Sequence, residues 1–399
     1  MHVVDQARTS AFTPVLILLV LALYVAFPMG TALSASAVDV DREQIEIELF
    51  DFVSEGELTY PANEDGPFPT VILIHGSGIA DMDHTVTSPY EFGPTGPRVL
   101  SQNFREIAEH LSGQGFAVLR YNKRYVTGVG QADYARFYQL SLQDMLMDAE
   151  AVLEAAKAHP KVDAENIIVY GWSEGSTIAA ALAAERSDIA GLVLQTPVVY
   201  PWKETFMYQL FEVGFPYVLE FVEDGHFTIS SIGRGMQGEG GLVAKSTLSY
   251  LVDPAYVSTG ELSVNGILDT DGDGKLKFGT ELTLSRLAGL IEQNFAPGGY
   301  FAMYGPQVAL PTVGDRIGSL ELPVLILQGG ADANVPPQGA DLLARGLSQV
   351  GADVTFYFYP ELGHALGEAT TRRTDNFQPI AETPLNDLAE WLKLRFSGR

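Results

Sequence analysis

No cysteine occurs in the 399 residues. That absence excludes disulfides, thiolate nucleophiles and zinc–thiolate sites. Positive charge is scarce: 24 Lys and Arg stand against 50 Asp and Glu, a net charge of -26. The imbalance argues against nucleic acid as a partner, because phosphates need neutralising cations. The surplus acidity is expected to serve solubility. Repeats and low-complexity tracts are missing, and only one long apolar run stands out, Val15 to Phe27. It lies in a stretch without charge from Thr9 to Val38, with Arg8 before it and Pro28 and Gly30 after it. Ala35-Ser36-Ala37 then supplies a small-residue cleavage pattern. Residues 1–37 therefore read as a signal peptide, which makes the mature protein secreted or extracytoplasmic. The alternative is an uncleaved N-terminal membrane anchor. With the signal cleaved, no stable membrane insertion is expected.

What remains is rich in core-forming residues: 46% hydrophobic against 19% charged. Gln44 to Val53 alternates like a half-buried strand, and Leu58 to Tyr60 continues it as a hairpin. Thr70 to Ile74 is a short, wholly apolar run, as expected for a strand buried on both faces. From there strands and helices alternate. Helices are expected over Asn103–Ser112, Ser141–His159, Pro337–Val350 and Thr383–Phe396. Strands are expected over Phe116–Tyr121, Asn166–Tyr170, Ile189–Leu194, Pro323–Gln328 and Val354–Tyr359. This rhythm defines an α/β fold with a mostly parallel sheet covered by helices on both faces. It is lost between Thr196 and Leu320, too long a stretch to be loop alone. The expected organisation is core over 38–196, a cap insertion over 197–320, and core again over 321–399. Within the cap, Phe206 to Val222 looks most like a lid. Phe206, Leu210 and Val213 fall on one side and Glu204, Glu212 and Glu220 on the other, so the apolar side serves core packing or an acyl pocket.

One strand ends in Gly171-Trp172-Ser173-Glu174-Gly175, and an alanine-rich helix follows. A serine between two glycines, at a sharp turn from strand to helix, is the nucleophile elbow. A serine hydroxyl needs a base to take its proton, and the base needs a carboxylate to fix its tautomer. In this arrangement the chain order is serine, acid, histidine. Asp332, in Gln328-Gly-Gly-Ala-Asp-Ala-Asn-Val-Pro336, follows a buried strand. His364, in Tyr359-Pro-Glu-Leu-Gly-His364, follows the next strand and is the only one of seven histidines after that acid. A turn aspartate and an exposed loop histidine are the plain alternatives, and the shared order outweighs them. The developing oxyanion needs donors aimed in advance. These are expected from the N–H of Glu174 and from His75-Gly76-Ser77-Gly78, with Ser77 the first candidate and Gly76 the second. His75 is expected to brace that loop.

With these residues in place, the chain resembles a secreted α/β-hydrolase of the prolyl oligopeptidase-like and dienelactone hydrolase-like serine esterase group. The matching stretches are His75–Asp83, Val118–Arg124, Gly171–Gly175, Leu325–Pro336 and Tyr359–His364. They span the core and leave the cap uncovered. Two positions depart from the pattern: Tyr125, where glycine often follows the Lys-Arg pair, and Ser176, where glycine or alanine is usual. The first is expected to reshape its loop. The resemblance implies a serine hydrolase, most readily a carboxylesterase, with a small acyl ester or a short peptide or amide as substrate. No cofactor is required for the chemistry.

Inside the cap, Asp269-Thr-Asp271-Gly-Asp273-Gly-Lys275-Leu276 matches the first half of a calcium loop. Asp269, Asp271, Asp273, the Lys275 carbonyl and Glu281 are the expected ligands of a structural calcium. The twelfth position, where a glutamate should close the loop, is Thr280, with Glu281 one residue later. An acidic surface turn is the plain alternative. Three functions therefore compete: a carboxylesterase, an aminopeptidase or amidase on the same triad, and a non-catalytic calcium-dependent binding protein on a hydrolase scaffold.

Overall fold

The computed structural model describes residues 39–93 and 96–396. The expected signal segment lies outside the described residues. Among those described, no helix is long and apolar enough to cross a membrane.

Eight strands form the main sheet: β1 Val40–Leu49, β2 Phe52–Pro61, β3 Phe68–Ile74, β4 Ala117–Tyr121, β5 Val162–Trp172, β6 Gly191–Gln195, β7 Val324–Gly329 and β8 Val354–Tyr359. Their spatial order is β1-β2-β4-β3-β5-β6-β7-β8. β1 and β2 pair antiparallel, as do β2 and β4; every later pairing is parallel. The five core helices are α1 Asn103–Ser112, α2 Leu142–Lys157, α3 Glu174–Glu185, α4 Gln338–Gln349 and α5 Glu382–Phe396. Leu146, Ile178 and Leu343, from α2, α3 and α4, pack into one layer of core. Ile107 and Leu388, from α1 and α5, belong to the other. The fold is therefore that of the α/β-hydrolases, with apolar central strands because both faces are covered.

Local chemistry explains the helix limits. Ser141 caps α2 in a reciprocal box with Asp144, which is why the helix starts one residue later than the sequence pattern alone places it. The first hairpin differs more. Gln44 to Val53 is not one strand: β1 stops at Leu49, and the chain turns at Phe50 and Asp51. Phe50 takes a left-handed conformation with φ 55°. Asp51 is held from afar, accepting from the Tyr125 hydroxyl at 2.7 Å and pairing with Arg136. Contacts across such a sequence distance leave no mark on local periodicity. A second hairpin, Thr85–Gly93 with Gly96–Gln102, was likewise not evident in the sequence.

Between β6 and β7 the described residues add no strand to the main sheet. This segment is a set of short helices and turns with one two-stranded ribbon, His226–Phe227 with Leu276–Lys277, and it opens with Trp202–Tyr208, a π-helical turn Gln209–Gly214 and Phe215–Leu219. The apolar side of this stretch divides its work. Leu210 and Val213 are core, while Phe206 faces a cavity. Tyr208 and Gln209 fasten the segment to the core by donating to the carbonyls of Asp332 at 2.5 Å and Asn334 at 2.9 Å. Glu212 and Glu220 pair with Arg372 and Arg373.

Candidate active site

Ser173 sits between β5 and α3 at φ 55° and ψ -119°. Such strain in a non-glycine residue persists only where its surroundings fix it. Gly171 and Gly175 show how. A Cβ on Gly171 would overlap the Gly175 carbonyl, and one on Gly175 would overlap the carbonyls of Ile74 and His75. The unexpected Ser176 adds a tie: its hydroxyl donates to the Ser173 carbonyl at 2.5 Å and accepts from Val198 N–H at 3.0 Å.

Asp332 and His364 meet at the ends of β7 and β8. The imidazole Nδ1 lies 3.0 and 2.9 Å from the two carboxylate oxygens, and both residues are buried. Asp332 also accepts from the N–H groups of Asn334 and Val335 and from the Gln328 amide. The carboxylate thus closes its own turn as well as holding the ring. The histidine turn is tied to the elbow by Trp172, whose indole donates to the His364 carbonyl at 3.1 Å. The two rings stand 5.7 Å apart.

Asp375 had no signal in the sequence. Its buried Oδ2 accepts from the N–H of His364 at 2.9 Å and of Ala333 at 3.0 Å. One carboxylate therefore braces both the histidine turn and the acid turn. Burial, with the nearby charge of Asp332, raises its pKa to about 6.

The loop after β3 approaches the elbow so closely that a Cβ on Gly76 would stand 3.4 Å from the Ser173 Cβ. Asn122 and Lys123, after β4, hold it. The Asn122 side chain accepts from Met82 N–H at 2.7 Å, and the Lys123 ammonium donates to the Gly76 carbonyl at 2.6 Å. His75 is buried, 3.2 Å from the Asp81 carbonyl and edge-on to Tyr121. Burial and Lys123 lower its pKa to about 3, so the ring stays neutral. The other departure, Tyr125, occupies the left-handed conformation that glycine would favour, at φ 67°. Arg136 lies 4.1 Å above its ring. A short hairpin, Val126–Gly128 with Gln131–Ala132, follows.

Ser173, Ser77 and Glu174 share a cavity of about 310 Å³, whose walls include Trp202, Phe206 and Phe301 from the segment between β6 and β7. Gly76 is not among its lining residues. Among the lining residues Glu174 alone carries a formal charge. Its carboxylate is already bonded to Lys123 at 2.8 Å and to the Tyr304 hydroxyl.

The acidic loop is a separate place. The structure gathers the carboxylates of Asp269, Asp271 and Asp273 to within 4.8 Å of one another. These three oxygen donors fit a hard cation. Glu281 is used otherwise. Its oxygens accept from the N–H groups of Thr270, Asp271 and Lys277 and from the Thr270 hydroxyl, which closes the loop without an ion. These bonds hold its carboxyl below the usual range. Lys275 N–H donates to Asp273.

Comparison with known proteins agrees with the geometry. The sequence pattern of the family described as serine aminopeptidase, S33, matches residues 99–224. The esterase EstD of Thermotoga maritima is 36% identical over 156 residues, 39% of this chain and 33% of that protein. The match thus spans about a third of that relative's length. Among solved structures, the Pyrococcus furiosus esterase Pf2001 aligns with 92% of this chain and 96% of its own at 14% identity, with a TM-score of 0.50. That likeness shows the fold. The resemblance to the α/β-hydrolase serine esterase group holds.

Proposed function

We propose that this chain is a carboxylester hydrolase working through an acyl-enzyme on Ser173. The observation that carries the reading is the buried Asp332–His364 pair, joined through Trp172 to a strained serine that opens on an aromatic cavity. Ser173 Oγ attacks the ester carbonyl as His364 Nε2 takes its proton. Asp332 holds the Nδ1 proton and steadies the imidazolium. The N–H groups of Glu174 and Ser77 receive the oxyanion. His364 then protonates the leaving alkoxide, and water releases the acid by the reverse steps.

The family match favours a second reading, an aminopeptidase or amidase on the same residues. The lining of the cavity speaks for the ester. An aminoacyl substrate brings a cationic ammonium, and the carboxylate there is already paired with Lys123 and Tyr304. We place the working enzyme outside the cytoplasm, from the N-terminal signal pattern. We assign the acidic loop a structural calcium with no part in the reaction.

Turnover of nitrophenyl esters against aminoacyl anilides separates the two hydrolytic readings, the ester being expected to dominate. Ser173→Ala and His364→Ala should each lose turnover by at least about 10⁴-fold, since such residues act as a unit. Ser173 should also be labelled by a fluorophosphonate. A folded protein that neither labels nor turns over would favour the non-catalytic binding protein.

A further inference from the structure

Three side chains from three parts of the chain meet beneath the cavity. Lys123 follows β4, Glu174 opens α3 next to Ser173, and Tyr304 comes from the cap turn Ala302–Tyr304. All three are buried. The Lys123 ammonium spans the Gly76 carbonyl and one oxygen of Glu174, at 2.6 and 2.8 Å. The other Glu174 oxygen accepts from the Tyr304 phenol. Ser77 and that phenol line the same cavity. Burial and the charge of Glu174 push the phenol pKa well above its ordinary value, so Tyr304 stays a donor. Its ring is fixed independently, 4.3 Å from Trp202 and 5.6 Å from Phe206.

A buried ion pair is a poor source of stability, because desolvation offsets most of its attraction. This one has an evident use in geometry. It fixes the Gly76 carbonyl and the Glu174 side chain in one network. Those residues adjoin or carry the two N–H groups assigned to the oxyanion. Such donors are effective only when held in place before charge develops.

We propose that Tyr304 is a positioning residue for oxyanion stabilisation, acting through Glu174 and Lys123, so that the cap forms part of the reaction centre as well as the wall of the pocket. The proposal rests on Ser173 being the nucleophile. Losing the phenol would leave one Glu174 oxygen without its donor and loosen the Lys123 tie to Gly76. The oxyanion site would then loosen while the aromatic wall stayed in place.

Tyr304→Phe tests this, because it keeps the ring and removes the hydroxyl. With a nitrophenyl ester, kcat should fall about tenfold or more while KM stays within about twofold, the pattern of a transition-state interaction. A trifluoromethyl ketone forms a tetrahedral adduct with the serine and needs the oxyanion site. Its affinity should fall by the same factor as kcat/KM. The matching methyl ketone, bound without that adduct, should keep its affinity. Should Tyr304→Phe prove unstable, Glu174→Gln, which retains the backbone N–H and weakens the bonds to Tyr304 and Lys123, should show the same split. Wild-type kcat in Tyr304→Phe, or a rise in KM alone, would overturn the proposal and leave Tyr304 a pocket wall. Normal turnover in Ser173→Ala would instead remove the nucleophile assignment beneath it.

Discussion

At the nucleophile elbow, Gly171 and Gly175 are required by proximity: an added Cβ on Gly171 would run into the backbone of Gly175 and Ser176, and one on Gly175 into the carbonyls of Ile74 and His75 across the elbow. In the acidic loop, Gly272 and Gly274 have nothing within 4 Å, and handedness selects them, at φ 72° and 78°. The carboxylates differ in the same way. Glu174 is 1% exposed and bonded to Lys123 and Tyr304. Asp271 and Asp273 are exposed and serve their own turns through backbone N–H groups. One turn is specified by what surrounds it, the other by its own residues. The first should therefore fail as a unit, and the second should fray.

The largest effect expected from this contrast is at Gly175. The atoms facing it are carbonyls of the β3 end, which cannot move without disturbing the sheet. Gly175→Ala should destabilise the protein by about 3 kcal/mol or more, the high end for overpacking. Gly274→Ala meets only the left-handed backbone penalty, about 1 kcal/mol. Urea unfolding of the two variants side by side checks the ratio. Equal losses would remove the distinction between proximity and handedness.

A middle-sized effect is expected at Asp375. Truncation to Ala leaves the N–H groups of His364 and Ala333 buried without an acceptor. That should lower stability by about 1–3 kcal/mol and reduce kcat through a looser histidine turn. The pH dependence has a definite sign. The folded pKa of about 6 lies above the ordinary 3.8, so between these values the folded state binds more protons than the unfolded state. This group's contribution to stability is greatest below about pH 4 and falls as pH rises through about 6. The total change is at most about 3 kcal/mol. Denaturant titrations from pH 4 to 7 should show the slope in the wild type and a shallower one in Asp375→Ala. Identical slopes would mean that Asp375 is not the group responsible.

The same contrast shows how far the site was legible in the sequence. Ser173, Asp332 and His364 could be placed because each follows a strand, and strand periodicity is local. Tyr304, Asp375 and Lys123 could not be assigned roles. Tyr304 meets Glu174 across 130 positions, and nothing around either residue records that contact. Lys123 lay inside a recognised stretch, yet one of its targets is a backbone carbonyl, which carries no residue identity, and the other is Glu174, 51 positions away. The β1–β2 turn was hidden for a similar reason, being pinned by Tyr125 and Arg136. The three aspartates of the acidic loop could be grouped because their spacing is local, but Glu281 was given a ligand role where it supplies the loop's own closure.

That closure makes the smallest effect the most informative about the loop. Glu281 fixes the backbone without an ion, while Asp269, Asp271 and Asp273 remain crowded and mutually repelling. A divalent cation would relieve the repulsion with little rearrangement. Calcium at about ten times its dissociation constant would then stabilise the fold by about 1.4 kcal/mol, by mass action. In a chain of this size that corresponds to a rise on the order of 2 °C in melting temperature. Asp271→Asn should reduce the rise, and ester turnover should not respond, because neither Asp332–His364 nor the elbow shares a residue with the loop. Glu281→Gln should act differently, loosening the loop with or without calcium, since it weakens acceptors of backbone N–H groups. Melting curves that coincide in millimolar calcium and in excess chelator would leave a self-closed acidic turn. The loop would then match the elbow in needing no ligand, though still not in what holds it.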